Sequence, residues 1–157
     1  MYEQAVPPVQ QALAQAQHLL AKATPEILSA RLQPGMFDCA GQFQTVAIFA
    51  LRATYPLTGK PTPPWPQGTL AEKLTTSATH VGALTPVDFA GAETRLITHR
   101  AGEADLEQTG TVYLHQFVLP NLWFHLSMAF AIMRLQGADI GKADFDGLHA
   151  YPAGFSF

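Results

Sequence analysis

The sequence predicts an all-α protein, a four-helix bundle with a short hairpin or irregular excursion between the third and fourth helices. Three observations predict this fold. Apolar residues recur at helical spacing in four long segments, capping patterns mark where helices begin, and the helical period is lost over residues 88–116. With 157 residues and 48% hydrophobic content, the chain can bury its own core, so residues 1–157 are expected to form a single domain.

The first two long helices are predicted over residues 9–23 and 36–57. Pro7 and Pro8 precede the first helix and suit a helix start. Thr24 has the pattern of an N-cap for a short helix between the two long ones. Each long segment carries an apolar stripe at three-and-four spacing, Val9-Leu13-Ala16-Leu20-Ala23 in the first and Phe43-Val46-Ala47-Ala50-Ala53 in the second.

A proline-rich segment over residues 59–66 must be extended and ends the second helix. Thr69 and Glu72 then form a capping-box pattern that opens a third helix, which is expected to stop after Leu84. Two β-prone runs at 94–98 and 111–114 indicate the excursion before the last helix.

The fourth helix is predicted from Leu119 to Leu135, with Gly137 as its stop signal. Its apolar residues cover nearly the whole circumference, which is typical of a central helix. The tail over residues 138–157 is rich in glycine and is expected to pack as a loop over one end of the bundle.

Composition excludes several functional classes. The formal net charge is -3 and no basic stripe exists, so nucleic-acid binding is not expected. The apolar stretch from Phe117 to Met133 is interrupted by polar residues and is short for a membrane span, so a buried helix is expected instead. The lone Cys39 fits a reducing compartment, and the first residues lack the features of a signal peptide. These observations predict a cytoplasmic protein without a membrane segment.

Several phrases resemble one bacterial family. They are the segment from Met1 to Ala23, Ala30-Arg31-Leu32-Gln33-Pro34-Gly35-Met36 with Gln42 following, Leu119-Pro120-Asn121-Leu122-Trp123-Phe124-His125, Ala129-Phe130-Ala131-Ile132-Met133-Arg134 and Gly141-Lys142-Ala143-Asp144-Phe145-Asp146-Gly147. Together they resemble the domain of unknown function DUF1993, within the DinB/YfiT-like superfamily of metalloenzymes. The resemblance implies a four-helix bundle and gives no reaction.

The resemblance also implies where a metal would lie. Relatives in the superfamily hold a divalent ion with three histidines, one from the second helix and two spaced one turn apart on the last. This sequence departs from that pattern, because Ala129 stands one turn after His125 and the second helix contains no histidine. No cofactor is therefore predicted, and His125 is the one weak candidate for a metal ligand.

His125 has two possible roles beside the second helix. With Asp38 and Gln42 it would make a weak, oxygen-rich site, better suited to Mn or Mg than to Zn. Alternatively it is a neutral imidazole that is hydrogen-bonded to Gln42, Asp38 or a backbone carbonyl and fixes helix register. Asn121 and Trp123 complete the candidate pocket: the aromatic residues at the start of the fourth helix either line an apolar pocket, closed by Asn121 and His125, or are core. No catalytic residue is assigned.

Two further residues carry weaker expectations. His115 would join His125 only if the chain between them folded back, and Cys39 is expected to be a small buried hydrophobe.

Three functions remain open at this point. The chain is a ligand-binding bundle that has lost the metal site, a divalent-metal-dependent hydrolase or thiol-dependent transferase that uses His125, or an interaction module that works through Trp65. The resemblance and the low surface charge lead us to expect a homodimer, and an exposed Trp65 would mark its interface.

Overall fold

The computed structural model describes residues 1–152, which are mostly helical with one two-stranded antiparallel sheet. The helical content and the excursion between the third and fourth long helices are as predicted. The four long helices are α1 (Tyr2–Leu20), α3 (Cys39–Arg52), α5 (Leu70–Gly82) and α7 (Leu119–Leu135). The short helices are α2 (Pro25–Ser29), α4 (Tyr55–Thr58), α6 (Gly110–Val112) and α8 (Lys142–Asp146), together with a 3-10 turn at Pro86–Phe89. The strands are β1 (Leu96–Ala101) and β2 (Ala104–Thr109), and a π-helical turn spans Tyr113–Val118.

The core lies between the four long helices. Helix α3 packs against α7, α5 and α1, and α1 packs in turn against α5 and α7. Their facing side chains are fully buried, the largest being Leu13, Leu19, Phe43, Leu51, Leu74, Leu122, Leu126, Ile132 and Met133. Burial of this apolar surface provides the main stabilisation of the fold.

Helix α1 begins at Tyr2, earlier than predicted, and contains Pro7 and Pro8 in its interior. The reason is tertiary: Ala5 and Val6 are fully buried, so the apolar stripe extends to the N-terminus. A proline inside a helix removes one backbone hydrogen bond, and this burial offsets the loss. The helix ends at Leu20, and Thr24 caps α2 as predicted.

The second predicted helix is two helices: it begins at Cys39 and not at Met36, and it is interrupted between Arg52 and Tyr55. The Oδ1 atom of Asp38 accepts a hydrogen bond from the Gly41 N–H at 2.8 Å, which fixes Asp38 as the N-cap. Pro56 has no N–H to donate to the Arg52 carbonyl, and its ring would clash with that carbonyl in a continued helix. Helix α3 therefore ends at Arg52. The Tyr113 hydroxyl donates to that carbonyl instead, at 2.9 Å.

The third helix follows its capping box. The Thr69 N–H donates to Oε2 of Glu72 at 2.8 Å, and the Glu72 N–H donates to Oγ1 of Thr69 at 3.2 Å. Ser77 ties this helix to α3 by donating to the Ala47 carbonyl at 2.8 Å. The predicted third helix is confirmed, and it ends at Gly82.

The excursion is a hairpin, but one of its predicted strands was wrong. Strand β1 overlaps the run at 94–98, whereas residues 111–114 are helical and Tyr113 and Leu114 are buried. Only glycine fits at residue 110, where the helix starts, because a Cβ there would lie 1.9 Å from the Ala92 carbonyl oxygen. Tertiary burial therefore outweighs the β-propensity of the run.

The last helix is longer than predicted, because α6, the π-helical turn and α7 form one continuous helix. By length and composition alone, these 26 residues from Gly110 to Leu135 are sufficient to cross a membrane, so the prediction that the stretch is too short for a membrane span was wrong. A single such helix is a weak indication, since core helices of water-soluble proteins meet the same criterion. The helix is also not buried all round: Phe124 is 49% exposed.

The tail contains a short helix where only loop was predicted. Helix α8 packs against α1, and Oδ1 of Asp144 lies 2.7 Å from His18 Nε2 and 2.6 Å from Lys22 Nζ. The Phe145 ring packs against Trp123 and Phe130 of α7. The last part of the predicted loop, residues 153–157, lies outside the described residues.

We predict that Asp144→Asn lowers the free energy of unfolding by about 1 kcal/mol near pH 7. Burial alone would raise the pKa of Asp144, but hydrogen bonds from Lys22, His18 and the Gly141 N–H outweigh it and hold the pKa well below the ordinary 3.8. The ion pairs therefore contribute fully to the free energy of unfolding above pH 3.8, and their contribution declines as the pH falls below this value.

Urea unfolding of both proteins near pH 7 and near pH 3 measures the effect. The difference between wild type and variant should shrink in acid. Asp139→Asn, at an exposed position, is the matched control and should change stability by less than about 0.5 kcal/mol. An Asp144→Asn effect that matched the control, or that grew in acid, would contradict this interpretation.

Candidate functional site

The site is built on one hydrogen bond between two long helices. His125 lies on α7 and Gln42 on α3, and Nδ1 of His125 lies 2.7 Å from Oε1 of Gln42. Gln42 is only 2% exposed, in the first turns of α3 behind the Asp38 cap. The structure thus brings together two of the candidate residues from helices that are far apart in sequence.

Aromatic rings surround the imidazole of His125. The rings of Phe49 and Phe37 lie nearly parallel to it, with centroids at 5.6 Å and 6.2 Å, and the Phe124 ring meets it edge-on at 5.2 Å. This partial burial lowers the pKa of His125 below its ordinary value of 6.5. At neutral pH the ring is therefore uncharged.

The hydrogen bond decides where the imidazole proton lies. A carbonyl oxygen can only accept, so Nδ1 of His125 carries the proton and donates it to Oε1 of Gln42. In the neutral ring Nε2 then carries a lone pair. The Gln42 amide group still has both of its own N–H donors.

The remaining polar atoms have no partner in the described part of the chain. Neither Nε2 of His125 nor the amide nitrogen of Gln42 has a hydrogen bond within residues 1–152. Within that part of the chain, the one fully buried side-chain atom without a partner is Nδ1 of His99. Nε2 belongs to a half-buried side chain and is available as an acceptor, whereas the N–H groups of Gln42, which is only 2% exposed, have little contact with solvent.

Both residues line a shallow, open groove of about 250 Å³. Buried Gln42 and half-buried His125 form its inner part, while two phenylalanines form its outer part, Phe37 at 56% and Phe124 at 49% exposure. Gly35 and Met36 complete the lining, which contains no charged side chain. The groove is an apolar surface with one donor and one acceptor at its inner end.

Asp38 does not reach this groove. Its Oδ1 atom caps α3, and its Oδ2 atom lies 3.2 Å from an Arg31 nitrogen. Arg31 also donates to the Met36 carbonyl at 2.9 Å and so holds the segment that carries Phe37. The role of Asp38 in this structure is to position the groove edge and the start of α3.

The other two candidate residues also lie outside the groove lining. Asn121, one turn before His125, donates to the Phe117 carbonyl at 2.7 Å beside the π-helical turn. Trp123 packs against Phe145 of α8. Met36 and Phe37 were not among the predicted site residues, and only the position of Phe124 directly before His125 pointed to the groove.

The donor set does not fit a three-ligand divalent metal centre. Within residues 1–152, no group of three or more His, Cys, Asp or Glu residues could hold a metal ion.

Ala129 is fully buried one turn after His125, and the Cys39 thiol points at its carbonyl with 3.9 Å between sulfur and oxygen. Burial, with a smaller effect of Asp38, raises the pKa of Cys39 to about 12, so this thiol stays protonated and packs as the expected small hydrophobe. His115 does not join His125: its Nε2 atom lies 3.2 Å from Oε1 of Gln4 on α1.

Comparison with known proteins gives a family and a structural relative. A sequence model of the family described as Domain of unknown function (DUF1993) matches residues 1–146. The fold is similar to the crystal structure of a DinB family member protein from Shewanella denitrificans, with a TM-score of 0.81 and 26% sequence identity over 97% of this chain and 94% of that chain. No curated protein matches. The expected DinB-like relationship is confirmed.

We predict that Gln42 and His125 are energetically coupled. His125→Phe keeps a ring between Phe37 and Phe49 but leaves the buried Gln42 oxygen without its donor, which should cost about 1–3 kcal/mol of unfolding free energy. Gln42→Leu should also destabilise, and the double variant should be less destabilised than the sum of the two by about 1 kcal/mol.

Urea unfolding of the four proteins gives the coupling energy. The matched control is the exposed His115–Gln4 pair, which joins the same long helix to α1, and for which His115→Phe and Gln4→Leu should be additive within about 0.5 kcal/mol. Additivity at Gln42 and His125 would show that their hydrogen bond contributes nothing to the fold.

Proposed function

Because the chain belongs to the DUF1993 family, whose function is unknown, we propose its function from its own site: it binds a small uncharged organic ligand in the groove beside His125, without a metal. One observation carries this proposal. Gln42 fixes a neutral imidazole at the inner end of an open, phenylalanine-lined groove, with the Nε2 lone pair of His125 left unused.

The groove has the chemical make-up of a small-molecule site. Ligand sites combine apolar and aromatic walls with a few convergent polar groups, and here His125 and Gln42 supply the polar groups while Phe37 and Phe124 supply the walls. The absence of charged lining disfavours phosphates and nucleotides as ligands, since these require paired positive charge.

The donor set weighs against the alternative of a divalent-metal-dependent hydrolase or thiol-dependent transferase. A catalytic metal needs about three protein ligands. His125 offers one nitrogen, both oxygens of Asp38 are hydrogen-bonded, and Cys39 is a buried neutral thiol. The chain is thus proposed to be a member of the superfamily that has lost the three-histidine site.

The proposal includes the arrangement of the helices. We propose that α1, α3, α5 and α7 form a DinB-like four-helix bundle to which the hairpin and short helices have been added. The contacts of α3 with all three other long helices and the similarity to the DinB family member support this arrangement.

Elemental mass spectrometry of protein purified without tag or chelator tests the absence of a metal. Wild type, His125→Ala and the control His115→Ala should all carry far less than about one equivalent of Mn, Ni or Zn. About one equivalent in the wild type and in His115→Ala, lost in His125→Ala, would overturn the proposal and favour the metal-dependent enzyme.

We also propose that the chain is a cytoplasmic homodimer. Its one cysteine is free and buried, which suits a reducing compartment, and Trp65 in the proline-rich loop is 47% exposed. An exposed tryptophan is typical of an interface.

Sedimentation equilibrium tests the assembly. The wild type should sediment as a dimer and Trp65→Ala as a folded monomer, whereas Val87→Ala, which removes another exposed apolar side chain, should remain a dimer. A monomeric wild type, or a dimer that is unchanged in Trp65→Ala, would contradict this proposal.

A further inference from the structure

The polar atoms left open in the groove identify a ligand class. We propose that the groove binds a single-ring phenol whose hydroxyl group donates to Nε2 of His125. This inference rests on the proposed function, since it names the ligand of the same groove.

Nε2 of His125 requires a hydrogen-bond donor from the ligand. It can only accept, because the ring proton is held on Nδ1 by Gln42. A phenol hydroxyl brings this donor on a neutral aromatic ring. An ether oxygen has no proton to donate and would leave Nε2 of His125 desolvated without a partner.

The outer groove suits an aromatic ring in both shape and chemistry. Phe37 and Phe124 are among the exposed large apolar residues of the described chain, and both lie next to His125. Aromatic rings pair with one another in edge-on or offset arrangements, so a ligand ring would cover both phenylalanines. A space of about 250 Å³ is below the usual range of drug-sized pockets, which limits the ligand to about one ring.

The groove lacks charge. No charged side chain lines it, and Asp38, which follows Phe37 in the chain, is paired with Arg31 at 3.2 Å. A carboxylate or phosphate would enter an apolar site without a counter-charge, at a large desolvation cost. A phenol, with an ordinary pKa near 10, is neutral at pH 7.

The experiment is a titration of the isotope-labelled full chain followed by NMR, with three ligands of nearly equal size. 4-Methylphenol offers a donor and an acceptor, 4-methylanisole an acceptor only, and toluene neither. We expect 4-methylphenol to shift the signals of Gly35, Phe37 and the His125 ring, with a Kd on the order of a millimolar. 4-Methylanisole and toluene should bind at least about fivefold more weakly, because the hydrogen bond to His125 is missing.

Variants of the chain test whether the His125–Gln42 pair causes the preference for 4-methylphenol. Gln42→Met keeps the length of the side chain but removes the oxygen that holds the ring proton on Nδ1 of His125, so it should reduce the preference for 4-methylphenol over toluene at least about threefold. His115→Ala on the same helix is the control and should leave every Kd unchanged. If Gln42→Met does not fold, the shift of the wild-type His125 ring nitrogens on addition of 4-methylphenol provides the same test without a variant.

The outcomes separate this inference from the proposed function. Equal binding of all three compounds at the groove would overturn the phenol assignment and leave a ligand-binding groove. Shifts confined to the hollow at Ser127, Phe130 and Phe145, or no shift at any residue with these compounds and with a wider set of uncharged single-ring compounds, would overturn the phenol assignment and the proposed groove together.

Discussion

The structure of the site depends on the need to satisfy a buried amide. Gln42 is almost completely buried, and an amide oxygen without a partner in such a place costs about 1–3 kcal/mol. His125 supplies that partner from another helix, so the hydrogen bond fixes the position of α7 relative to α3 and the proton on the imidazole. This hydrogen bond also orients the imidazole beside the rings of Phe37 and Phe49 and leaves a free lone pair on Nε2.

The same helices explain why a DinB-like fold persists here without the three-histidine pattern. At the turn after His125, where the resemblance implies a second histidine, Ala129 packs against the thiol of Cys39. Small side chains let α3 and α7 approach each other and bury continuous apolar surface, which stabilises the fold without metal ligands. Asp38, the one carboxylate near this end of α3, caps the helix and holds Arg31 at the edge of the groove.

Much of the fold could be predicted because its signals are local. The capping box at Thr69, the N-cap at Thr24 and the stop at Gly137 depend on residues within a few positions of each other. The misses have non-local causes. Residues 111–114 look like a strand until the burial of Tyr113 is known, and α3 ends at Arg52 because Pro56 follows and Tyr113 takes over the freed carbonyl. The pairing of His125 with Gln42 was one of several possibilities in the sequence, and the segment that carries Phe37 was missed because only the bond from Arg31 to Met36 places it at the groove.

Gln42 holds His125 as a neutral imidazole with its proton on Nδ1, and both the site and its proposed ligand depend on this tautomer. Nitrogen NMR of the histidine rings, recorded as a function of pH, tests the tautomer because the two ring nitrogens give distinct signals for each form. We expect the Nδ1–H form for His125 near pH 7 and a pKa below the ordinary 6.5, with Gln42→Leu removing the tautomer preference. An Nε2–H ring would contradict this, because the amide would then present its nitrogen to His125, and the free group of His125 would be a donor. A charged ring at neutral pH would contradict it as well.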